Sequence, residues 1–120
     1  MKSRFAVPVL VLLAALTAAP ARAAELVMFE RAGCIWCARW NEEIAPAYGK
    51  TEEGRRAALR RVDVMQRRPD DLAAVKPVVY TPTFVLVDEG KEIGRIEGYS
   101  DEAFFYGYLD RLLAKLPPGR

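Results

Sequence analysis

Apolar and polar residues change period several times along this chain, and each change marks an element. Leu26-Val27-Met28-Phe29 is an unbroken apolar run that reads, over residues 26–30, as a short buried strand. Arg31-Ala32-Gly33 is the turn that leaves it. From Cys34 to about Tyr48 the spacing becomes helical, with Ile35, Trp36, Trp40 and Ile44 as the apolar positions. Pro46 falls inside or just past the end of that helix and predicts a kink or a stop there, with Gly49 as a C-terminal cap. Thr51 before Glu52 and Glu53 has the pattern of an N-cap followed by first-turn acids, so a short second helix is expected towards Leu59. Residues 61–65 alternate like a second strand, and residues 69–75 carry the acids and alanines of another short helix. Thr83 leads into the apolar strand Phe84-Val85-Leu86-Val87, Asp88-Glu89-Gly90-Lys91 is a hairpin turn, and residues 92–97 return as a strand. Ser100 is positioned to cap a last helix with Asp101 and Glu102 in its first turn. Phe105, Leu109, Leu112 and Leu116 share one face of it, and Pro117-Pro118 ends it. The order β-α-(α)-β-α-β-β-α predicts an α/β fold, helices packed on a mixed central sheet.

Ahead of these elements lies a segment of a different kind. Met1-Lys2-Ser3-Arg4 is positively charged, residues 5–19 are almost wholly apolar, and Ala21-Arg22-Ala23 is an A-x-A cleavage site. Residues 1–23 therefore read as a secretory signal peptide and residues 24–120 as one small mature domain. Pro8 and Pro20 interrupt the apolar run, which is short for a membrane span; an uncleaved anchor is the alternative. Either way the domain works outside the cytoplasm, where disulfides persist, and a bacterial periplasm is the expected location.

Charge changes the picture little. The precursor carries a formal +2, but Lys2, Arg4 and Arg22 leave with the signal, so the mature balance is 15 bases against 16 acids, or −1. Nothing in that balance points to nucleic acid. The sequence contains no histidine, which excludes Ser-His-Asp and Cys-His catalysis and any His-ligated metal. Residue 38 is alanine, so the C-x-x-C-H haem attachment motif is missing, and two thiolates fall short of a structural zinc site. No cofactor or metal is expected.

What remains is the chemistry of the two cysteines, Cys34 and Cys37, three residues apart where the first strand hands over to the helix. At the start of a helix the Cys34 sulfur faces unsatisfied backbone N–H groups and the positive end of the dipole. Both favour thiolate, so its pKa is expected to fall below the free value of about 8.5. Cys37, a turn deeper, suits the second displacement of thiol–disulfide exchange. A static structural bridge is the alternative, although a loop this short removes little unfolded-state entropy.

Cys34-Ile35-Trp36-Cys37 after a strand, followed by Thr81-Pro82-Thr83 entering a hairpin and a final helix, resembles the thioredoxin fold family over essentially the whole mature region. More narrowly, Cys-x-x-Cys-x-x-Trp with Pro46-x-Tyr48, Lys50-Thr51-x-Glu53-Gly54-Arg55-Arg56 and Arg60-Arg61-Val62-Asp63 resembles the SoxS-type thioredoxin-like proteins, periplasmic thiol reductants that accompany bacterial sulfur-oxidation (Sox) systems. The resemblance implies a thiol–disulfide oxidoreductase with Cys34 attacking and Cys37 resolving. It implies that Pro82 is in cis and that Thr81 presents its backbone to an incoming peptide or disulfide. It also implies a protein partner, a Sox carrier cysteine among the candidates, and re-reduction by a membrane thiol electron donor. A monomer is expected. Two positions depart from the family pattern: Met28 stands where many thioredoxins carry a buried aspartate, and Gly33 where a tryptophan commonly precedes the first cysteine.

Other readings stay open at this level. The same site would serve a disulfide oxidant or isomerase, a two-thiolate Cu(I) carrier, or a redox-silent binding module. Trp36 is either an apolar platform for a partner chain or a packing residue. Trp40 and Phe29 read as core. The pairs Arg55-Arg56, Arg60-Arg61 and Arg67-Arg68 read as a solvated surface balanced by Glu52, Glu53, Asp70 and Asp71, with an acidic docking partner as the sharper alternative.

Overall fold

The computed structural model describes residues 2–6, 8, 10–15 and 23–119. Of the proposed cleavage site, Ala21 and Arg22 lie outside the described residues. Among the described residues no helix is long and apolar enough to cross a membrane.

The chain runs β1 (Ala24–Glu30), α1 (Ile35–Glu43), α2 (Ala45–Tyr48), α3 (Glu52–Arg56), β2 (Ala57–Asp63), a single 3₁₀ turn (Asp70–Leu72), β3 (Thr83–Asp88), β4 (Lys91–Glu97) and α4 (Glu102–Leu113). The four strands form one mixed sheet in the order β2-β1-β3-β4. β1 is parallel to β2, with Met28 opposite Arg61, and antiparallel to β3, with Met28 opposite Phe84. The β3–β4 hairpin closes through Glu89 and Gly90, both at positive φ, a conformation whose twist matches that of paired strands.

Because successive side chains on a strand point to opposite faces, the apolar run of β1 builds two cores at once. Leu26 and Met28 join Trp40, Tyr48, Phe84, Phe105 and Leu109 on the helical face. Val27 and Phe29 join Val62, Leu72, Val75 and Val85 on the other. Trp40 is fully buried, with the rings of Phe84 and Phe105 at 5.0 and 5.5 Å. Phe29 is core as expected, but in the second layer, beneath the loop that follows β2.

Several boundaries differ from the sequence reading. The first long helix ends at Glu43, and Pro46 opens a separate one-turn helix instead of closing the first. Gly49 caps that turn in a right-handed conformation, not the left-handed one that favours glycine. Thr51 is the N-cap of α3, accepting from the Gly54 N–H at 3.0 Å, but α3 lasts five residues. β2 begins at Ala57, four residues earlier than its alternation suggested, because Ala57 pairs with Ala24 and its carbonyl accepts from the buried Tyr48 hydroxyl at 2.6 Å. Residues 69–75 make only the 3₁₀ turn. The last helix is capped by Asp101, which accepts from the Phe104 N–H at 2.8 Å, and not by Ser100; it ends at Leu113, ahead of the prolines.

Glycine is required at position 54. A Cβ there would overlap the Tyr48 backbone carbonyl, so the α2–α3 corner closes only around a bare Cα.

Candidate functional site

Cys34 and Cys37 are joined as a disulfide, with their Cα atoms 5.2 Å apart. Cys34 is the N-cap of α1 and not its first helical residue, since its backbone is extended (φ −77°, ψ 109°) and the helix starts at Ile35. That shift by one residue serves the chemistry. The N-cap side chain is the one that receives the free N–H groups of the first turn, and here the Cys37 N–H donates to the Cys34 sulfur at 3.1 Å. Cys34 is half-buried, whereas Cys37 is only 3% exposed and belongs to the helical-face core. An approaching partner therefore meets one sulfur before the other.

The sequence Thr81-Pro82-Thr83 supplies the opposite wall. The Thr81–Pro82 bond is cis, and the Thr81 carbonyl oxygen lies 3.4 Å from the Cys34 sulfur. Two hydrogen bonds fix this segment. The buried Thr83 hydroxyl donates back to the Tyr80 carbonyl at 2.6 Å, and the Gly98 N–H donates to the Pro82 carbonyl at 2.8 Å. Gly98 stands at positive φ, where a side chain would be strained. From the sequence Thr83 was only the last residue of the Thr81-Pro82-Thr83 motif, without a role of its own, and Gly98 was not singled out. A hydroxyl two residues past Thr81 and a glycine closing β4 were the available signals.

Trp36 projects from the first turn of α1 with 48% of its surface exposed, beside Ile35 at 78%. The Arg39 guanidinium lies over its ring, 5.5 Å from the centroid. Exposed Val79 and Tyr80 precede Thr81. A cavity of about 340 Å³ lies at the far end of the sheet, lined by Glu25, Arg60, Asp71 and Gly90. It is nowhere near the sulfurs.

In the core that also holds Cys37, Met28 is fully buried, and the Arg61 side chain comes over from the neighbouring strand. Its guanidinium lies 3.5 Å from the Met28 sulfur, 5.9 Å from the Trp40 ring centroid and 2.6 Å from a Glu30 carboxylate oxygen. The remaining arginine pairs are largely tied down. Arg60 grips Asp71 through both its terminal nitrogens, at 2.6 and 2.9 Å, and reaches Glu25 at 3.3 Å. Those bonds hold the Arg60 guanidinium well above its ordinary pKa. Arg67 pairs with Asp70, and Arg68 donates to the Val75 and Lys76 carbonyls. Asp70 and Asp71 thus act as partners, as expected, joined by Glu25 and Glu30.

A fold of this topology, with a C-x-x-C pair at a helix start and a cis-proline facing it, defines a thioredoxin-like protein. A family model described as a thioredoxin-like domain matches residues 13–113, and the chain belongs to that family. Among solved structures it is similar to the periplasmic thioredoxin SoxS from Paracoccus pantotrophus, crystallised in reduced form. The two are 47% identical, with a TM-score of 0.74 over 77% of this chain and 97% of that one. It is also similar to thioredoxins from Thermus thermophilus (26% identity, TM-score 0.61, 78% of this chain and 75% of that) and Fasciola hepatica (28%, 0.57, 74% and 80%). Among curated protein sequences no match is found. The family, the fold and the bonded C-x-x-C pair together make this a thiol–disulfide oxidoreductase.

Proposed function

We propose that this protein is a periplasmic thiol reductant that acts on a protein disulfide or thiol-bound adduct, a sulfur-oxidation carrier cysteine being the preferred partner. The observation that carries the exchange chemistry is the asymmetry of the two sulfurs, one half-exposed at a helix cap and one buried behind it, and the reducing direction follows the SoxS resemblance. In the reduced protein the Cys34 thiolate attacks a partner sulfur. The partner S–S bond breaks, a mixed disulfide forms, and the first partner sulfur leaves as thiolate. The Cys37 thiolate then attacks the Cys34 sulfur, expels the second partner thiolate and closes the Cys34–Cys37 disulfide. Two electrons pass to the partner, and its two thiolates take up protons.

Trp36 provides the apolar platform, and Thr81 with cis Pro82 the backbone edge along which the partner chain lies. A membrane thiol donor returns the electrons, because the periplasm holds no soluble reducing buffer. The reading is supported by the 47% identity to a protein described as the periplasmic thioredoxin SoxS. It takes residues 1–23 as a cleaved leader, in keeping with a first strand that starts at Ala24.

The test is to mix reduced protein with a carrier protein bearing a thiol-bound adduct. Release of one adduct per Cys34–Cys37 disulfide formed, and none with Cys34→Ser, is the expected result. A reduction potential near the oxidising end, about −120 mV, with no release, would replace the reductant by an oxidant.

A further inference from the structure

Trp36 is held by a chain of contacts that begins on the far side of the site. Arg39, one turn along α1, lies over the indole ring at 5.5 Å. Its Nε donates to one Glu43 carboxylate oxygen at 2.6 Å, and the other oxygen accepts from the Tyr99 hydroxyl at 2.7 Å. Arg39 and Glu43 alone would be an exposed i,i+4 pair of the kind that contributes little. Tyr99 changes that. It is 5% exposed, it packs its ring 6.5 Å from Phe105, and it comes from the β4–α4 connection, 56 residues away in sequence from Glu43.

The residue before it, Gly98, donates to the carbonyl of Pro82. Two consecutive residues of one connection therefore hold both walls of the site. Gly98 holds the proline segment, and Tyr99, through Glu43 and Arg39, holds the aromatic wall.

We infer that Tyr99 and Glu43 are positioning residues that set the specificity of this site for macromolecular disulfides by fixing Arg39 and Trp36 against the Pro82 wall. A small disulfide needs only the Cys34 sulfur. An extended partner chain must meet the indole face and the proline segment together, and it loses binding when one wall swings. This rests on the thiol–disulfide reading above and adds the residues that select the partner's size.

Tyr99→Phe keeps the buried ring and removes only the hydroxyl. Its kcat/KM should be measured for chain cleavage of insulin and for a small aromatic disulfide, using protein re-reduced by dithiothreitol. The ratio of the two constants is expected to fall about fivefold from wild type, equivalent to ~1 kcal/mol. Glu43→Gln, which still accepts from Tyr99 but loses its charge for Arg39, should fall in the same direction. Tyr108→Phe, on the exposed side of α4, should keep the wild-type ratio.

The sequence has two tryptophans, so the indole N–H resonances give an independent readout. The Trp36 signal should move in Tyr99→Phe while that of buried Trp40 stays. An unchanged ratio with an unchanged Trp36 signal overturns the inference and leaves the redox reading intact. Failure of the wild-type protein to reduce either substrate overturns the redox reading itself. Loss of both rates together in Tyr99→Phe, with normal thermal unfolding, overturns the selective role.

Discussion

Replacing Trp36 by alanine tests the platform most directly. Burying an aromatic side chain removes up to about 250 Å² from water, and Trp36 is 48% exposed, so roughly 120 Å² is left for a partner to cover. At ~25 cal/mol per Å² the ceiling is about 3 kcal/mol. Ordering a partner chain and desolvating its polar groups consume part of that. About half, ~1.5 kcal/mol, is the expected loss, which is roughly tenfold in kcat/KM. The assay is turnover of insulin against a small aromatic disulfide, and the ratio of the two constants should fall by that factor. The half of the indole that is covered in the free protein, roughly 130 Å² by the same reckoning, sets a ceiling of about 3 kcal/mol on the stability that Trp36→Ala can lose. A ratio within twofold of wild type would refute the platform.

In Cys37→Ser, Cys34 has no internal rival and should accumulate as a mixed disulfide with its partner, visible as an adduct by mass spectrometry; Cys34→Ser should give none. Accumulation in Cys34→Ser instead would reverse the assigned roles. Gly54→Ala forces a methyl into the Tyr48 carbonyl, and overpacking of this kind costs about 1–3 kcal/mol. The urea midpoint should fall at unchanged slope, and a midpoint equal to wild type would contradict the close approach. Burial raises the phenol pKa of both Tyr48 and Tyr99 above the ordinary 10.0. The unfolded chain therefore gives up those protons first, and stability, fully present below about pH 10, should decline as pH rises above it. Tyr48→Phe should flatten that alkaline limb, measured by denaturant titration at several pH values; an unaltered limb would exclude Tyr48 as its source.

The site was more legible in the sequence than the boundaries around it. The unbroken run Leu26 to Phe29 is short and flanked by a turn, which favours an interior strand, and the C-x-x-C pair that follows opens a helical spacing; the structure has both. The fit of Thr81-Pro82-Thr83 came through the family resemblance, since nothing local to a proline sets its isomer. β2 was misplaced because its signal is not local. Ala57 and Ala58 have weak strand preference, and they pair only because β1 offers an edge and Tyr48 a hydroxyl. Residues 69–75 have helical composition but take no more than a turn, because Leu72 and Val75 are drawn down onto the second face of the sheet. The roles of Gly98, Tyr99 and Arg61 arise from contacts between residues 16 to 56 apart. No pattern along the chain announces such meetings.

A thioether cannot carry a proton, and Met28, buried in the same core as Cys37, stands where the family resemblance would put an aspartate. In the proposed cycle the hydrogen on Cys37 then departs with water or with the sulfur being expelled. The closing displacement should therefore quicken with rising pH and with the acidity of the partner thiol that it expels.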